Sequence, residues 1–139
     1  MSIRLAAGLS VALVAAPAAA AIDWSRPVIC AAQHSVQCSL GSDCRSAEAG
    51  GELPVFLRID LAERRIIPLD ADGKDAKPRA IQVLEQAGRR LILQGAEHGR
   101  GWTAVVDRVS GEMVTSASDG KSGFLVFSTC TGMVAPKPD

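Results

Sequence analysis

Apolar and polar positions alternate over residues 55–61, where Val55, Leu57, Ile59 and Leu61 interleave with Phe56, Arg58 and Asp60. A period of two places one apolar row on a single face of an extended strand. From Pro54 onward such short runs recur, broken by turn residues about every ten positions, the spacing of an antiparallel all-β chain. Strands are predicted over residues 65–69, 80–85, 90–95, 102–108, 112–117 and 124–130, with a first one over 27–32. Only residues 80–87 would admit a short helix instead.

The breaks carry their own chemistry. Residues 70–78 (DADGKDAKP) are too rich in Asp, Gly and Pro for regular structure and read as one long polar loop. Gly88 marks a turn, His98-Gly99-Arg100-Gly101 a flexible tip, and Asp119-Gly120-Lys121-Ser122-Gly123 another turn. Gly111, in the segment Asp107-Arg108-Val109-Ser110-Gly111, stands where a hairpin loop needs positive φ. Seven or eight strands in simple succession predict a small antiparallel meander. An up-and-down barrel is the expected form, because closure removes exposed edges; a β-sandwich is the alternative.

The N-terminus follows a different pattern. Arg4 precedes an Ala-rich apolar stretch over residues 5–22, with Pro17 ahead of Ala18-Ala19-Ala20-Ala21. A basic start, an apolar middle and a small-residue end form the secretory signal pattern. Cleavage is expected after Ala20 or Ala21, leaving no membrane anchor. Residues 1–21 are thus a signal peptide, 22–131 a single domain and 132–139, with Pro136 and Pro138, a disordered tail. The expected location is a bacterial periplasm or the exterior.

Charge then excludes some partners. Lys+Arg number 15 against 15 Asp+Glu, and the leader removes only Arg4, so the mature chain is near −1. Nucleic acid is not an expected partner without a basic excess. Arg64-Arg65 and Arg89-Arg90 read as solvated hairpin ends.

Four cysteines in an exported chain predict two disulfides. Cys38–Cys44 would be a local clip, and Cys30–Cys130 would tie the first strand to the last; Cys30–Cys44 with Cys38–Cys130 is the alternative. In the chain-entropy model the long closure contributes about 4–5 kcal/mol and the clip about 2. The spacings fit neither a zinc pattern nor a C-x-x-C redox pair.

Candidate chemistry is sparse. His98 sits beside Glu97 and Arg100, but no nucleophile elbow accompanies it. His34, between Cys30 and Cys38, reads as an ordinary loop residue. The D-A-D-G-K-D segment departs from the EF-hand pattern, since its glycine comes fourth and no glutamate follows at the required spacing. Asp60 and Asp107 could pair in a barrel mouth, although strand-end aspartates commonly accept turn amides. Trp102 is either a core residue or a rim anchor, with core the favoured reading. No catalytic residue, metal ligand or cofactor is assigned.

The leading expectation is a non-catalytic binding module for a protein or envelope component. Its candidate rim is Trp102, His98, Arg100, Asp107 and Arg108. A small-molecule carrier barrel is the second reading, weakened by the scarcity of aromatic residues to line a cavity. A hydrolase using His98 and a neighbouring carboxylate is the third.

Overall fold

The computed structural model describes residues 21–47 and 53–133. The predicted signal peptide lies outside them except for Ala21, and so do residues 134–139 of the predicted tail. All regular structure among the described residues is β. The strands are β1 (Val28–Ser39), β2 (Arg45–Ala47), β3 (Phe56–Asp60), β4 (Arg65–Leu69), β5 (Arg79–Ala80), β6 (Val83–Ala87), β7 (Arg90–Glu97), β8 (Arg100–Asp107), β9 (Glu112–Ser118) and β10 (Ser122–Gly132). They form one antiparallel sheet in the order β5-β4-β3-β1-β10-β9-β8-β7-β6, with β2 added to β1, curled into a half-barrel.

The two ends of that order are consecutive in the chain. β5 pairs with β4, β6 pairs with β7, and Ile81 and Gln82 lie between them. Ile81 N–H donates to Arg64 C=O at 2.8 Å, and Gln82 N–H donates to Gln94 C=O at 2.9 Å. One kinked segment therefore reaches from one end of the sheet to the other. The kink is why residues 80–87 form neither one straight strand nor a helix.

Both disulfides form as favoured from the sequence, Cys30–Cys130 across β1 and β10 and Cys38–Cys44 as a clip. β1 is much longer than the predicted 27–32. At Gln33 it bulges, its register against β10 shifting between Ala32 and His34. Before the bulge Val28 and Cys30 point inward; after it the inward position is Ser35, which is 1 % exposed. A bulge reverses which alternate residues face the core. The polar run after it therefore remains strand although it offers no apolar alternation.

Cross-strand registers stack the interior in tiers. Val106 lies between Leu91 and Met113, and Ala104 between Leu93 and Thr115, which is itself opposite Val126. Leu93, Ala104 and Val106 are fully buried. At one end Trp24 closes the interior. Its indole N–H donates to Arg108 C=O at 2.9 Å, and the ring is 7 % exposed within the core. Gly111 (φ 78°) packs against the last strand there; a Cβ on it would lie 2.2 Å from Cys130 O and 2.8 Å from Ile22 Cδ1.

Candidate functional site

At the opposite end the tier consists of Gly95, Trp102, Ala117 and Phe124, neighbours in register on β7, β8, β9 and β10. Two large rings alternate with two residues that have little or no side chain. The indole lies directly on Gly95, where an added Cβ would be 2.4 Å from Trp102 Cζ2. Leu53 and Pro54, leading into β3, complete the wall of an open cleft of about 270 Å3. Below it a second, apolar space of about 60 Å3 is lined by Leu57, Thr115, Val126 and Ser128 as well as by Trp102.

Ion pairs ring this mouth. Arg79 Nε lies 2.9 Å from Glu97 Oε2, and Arg100 Nη2 lies 3.3 Å from Asp119 Oδ2. Arg100 also stands over the Phe124 ring at 5.5 Å, a cation–π distance. His98 Nδ1 is 3.4 Å from Glu97 Oε1. The Ser122 and Lys121 amides, followed by the Arg100 guanidinium and the Ser122 hydroxyl, hold the Asp119 carboxyl well below its ordinary range.

Local geometry explains why these groups meet. His98 (φ 50°) and Gly99 (φ 74°) form the two-residue turn between paired Glu97 and Arg100. Positive φ at both turn positions matches the twist of the hairpin and holds it tight. What reads in the sequence as a flexible four-residue tip is therefore a short turn, with Arg100 and Gly101 already in β8.

Two polar atoms here lack partners. Trp102 Nε1 and Thr115 Oγ1 are buried without a hydrogen bond among the described residues. Buried polar groups are nearly always satisfied; Arg65 Nε and Arg108 Nε, away from the mouth, are likewise buried without a partner among the described residues. Trp102 itself is half-buried and spans both spaces. It packs against the core cluster with one side and lines the mouth with the other, so it combines the two roles the sequence offered as alternatives.

The five candidate rim residues do not form one cluster. His98, Arg100 and Trp102 gather at the mouth, while β8 carries Asp107 and Arg108 to the closed end, about 24 Å away at strand rise. Asp107 there binds Arg89 Nε at 2.6 Å and caps the Val109 and Ser110 amides. Arg89 first, then those amides, lower its pKa to about 2. Arg108 C=O is the acceptor for Trp24. Asp60 likewise accepts a turn amide, from Glu63 at 3.0 Å, and faces Arg65 at 3.9 Å, the strand-end role that the sequence offered beside a carboxylate pair. His98 and Asp107 stand too far apart to act together as an acid/base pair.

The polar loop after β4 is internally bonded. Asp70 Oδ1 accepts the Asp72 and Lys74 amides, and Asp75 forms an ion pair with Arg58. His34 faces outward beside Phe127, with ring centroids 6.1 Å apart. Leu53, Pro54, Phe124, Arg79 and Asp119 were not foreseen as mouth residues. The tier of Gly95, Trp102, Ala117 and Phe124 becomes readable only once strand register is known. Comparison of the chain with protein-family models, with curated proteins and with solved structures finds no match.

Proposed function

We propose that this is an exported, non-catalytic binding module that takes a protein or envelope component at the mouth of its half-barrel. Two disulfides suit an oxidising exported compartment, and the leader-like residues 1–21 fit the same route. The observation that carries the reading is the Trp102 indole, half-buried at an open cleft with its N–H unpartnered among the described residues and two arginine–carboxylate pairs around it. Tryptophan and arginine are the residue types that dominate binding hot spots. A rim of paired opposite charges can exchange partners with an incoming polar surface, and the rings supply contact area.

The interior argues for a contact at the rim over an enclosed cargo. Leu93 is fully buried, and the apolar space beneath the mouth, bounded by Thr115 and Val126, is about 60 Å3, room for a few waters. A carrier would need several times that volume.

The test is affinity capture from an envelope extract with the mature protein, beside Trp102→Ala and Arg100→Glu. A partner retained by the wild-type protein and lost with both variants is expected. Equal capture by all three, or a co-purifying small molecule with no protein partner, would overturn the reading.

A further inference from the structure

The open seam of the half-barrel carries a second surface, on β6 and apart from the mouth. β6 follows the kink at Gln82 and ends at the two-residue turn Gly88-Arg89. Residues flanking such a turn exchange both main-chain hydrogen bonds, and the pattern then alternates along the pair. Ala87, Glu85 and Val83 accordingly bond to β7, while the N–H and C=O groups of Leu84 and Gln86 point the other way. β6 pairs with β7 alone, and no described residue bonds that outer edge. Arg64 reaches only as far as the carbonyls of Ile81 and Gln82, so the free edge begins at Val83.

We infer that the β6 edge receives an extended segment of another polypeptide as an added antiparallel strand, with a basic residue of that segment opposite Glu85. Unpaired main-chain groups in register are a template for strand addition. Natural edges are commonly blunted by lysine, proline or a bulge within the strand, and Val83–Ala87 has none of these, with Glu85 its single charge. Side chains sharpen the fit. Val83 is 46 % exposed on the outer face, while half-buried Leu84 packs against the core on the inner one. An added strand with alternating apolar residues would cover both.

Charge disfavours a second copy in the register that uses the whole free edge, the one centred on Glu85. Self-pairing centred on Glu85 would set that carboxylate against its own copy on the same face, and like charges directly opposite destabilise a pair. A lysine or arginine at that position reverses the sign.

The probe is a capped peptide of alternating threonine and valine with one central lysine, at millimolar concentration, read by amide hydrogen exchange on the mature protein. Exchange of the Leu84 and Gln86 amides should slow about tenfold near saturation. Gln86→Pro, which removes only an outward N–H, should abolish the effect. Glu85→Lys should shift preference toward the glutamate version of the peptide by about two- to fivefold, and it serves also if the proline variant fails to fold. Unchanged exchange, or equal binding of both peptides by wild type and Glu85→Lys, would overturn the proposal. So would concentration-dependent protection of these amides in the protein alone, which would assign the edge to a second copy. None of these outcomes bears on the mouth.

Discussion

The two tryptophans stand at opposite ends of one interior, and their surroundings differ in every respect that physical chemistry can weigh. Trp24 is buried, its N–H is paired with Arg108 C=O, and Gly111 and the Cys30–Cys130 bond close the same end. Trp102 is half-buried, its N–H is buried without a partner among the described residues, and it lies over Gly95 beside an open cleft. Full satisfaction of polar groups is what stability selects for. Arg108 Nε at the closed end departs from that rule as well, so what sets the mouth apart is that its unsatisfied donor belongs to a ring lining an open cleft. The closed end holds the fold together; the mouth is where we propose a partner binds.

Perturbing the two ends should separate these roles, and the largest effect belongs to the tie at the closed end. Converting Cys30 and Cys130 together to alanine should lower unfolding stability by about 4–5 kcal/mol in denaturant titrations. Opening the Cys38–Cys44 clip should lower it by about 2 kcal/mol. Equal losses would mean that the closed end is not the anchor.

A glycine pair gives a smaller contrast. Gly111→Ala combines positive φ with a Cβ only 2.2 Å from Cys130 O, so a loss of about 3 kcal/mol is expected. Gly99 has nearly the same φ, 74°, but open space around it, so Gly99→Ala at the mouth should cost about 1 kcal/mol. The difference between them isolates packing from backbone strain.

Acid sensitivity should be shared by both ends. Asp107 and Asp119 each cap turn amides and face an arginine, and both carboxyls titrate below their ordinary range, Asp107 at about 2. A carboxyl with a depressed folded-state pKa stabilises fully above its unfolded value, near pH 4, and that contribution fades as pH falls toward the folded value. Stability should therefore drop between about pH 4 and pH 2, and Asp107→Asn should flatten the profile in that window. A variant as acid-sensitive as the wild type would remove Asp107 from the account.

Most strands, both disulfide partners and the Gly111 hairpin were legible in the sequence, because period-two runs such as residues 55–61 and 102–108 report a buried face directly. Two features were hidden by polarity. β1 continues to Ser39 through Gln33, His34 and Ser35, where the bulge and a buried serine erase the alternation. β2, three residues long, is too short to show any period. The rim was only half legible for a geometric reason: residues 98–108 are close in sequence, but an eight-residue strand carries its two ends to opposite poles. Trp24, unremarkable in the sequence, closes the interior because its N–H finds a carbonyl contributed by a residue 84 positions away.

The contrast between the ends is tested most directly by comparing the denaturant midpoints of Trp24→Phe and Trp102→Phe. Each substitution deletes one indole N–H. At Trp24 it strands the Arg108 carbonyl and should cost about 1–3 kcal/mol. At Trp102 it removes a donor with no partner among the described residues, so the loss should be clearly smaller. A Trp102→Phe protein destabilised as much as Trp24→Phe would contradict the assignment of one end to stability and the other to recognition.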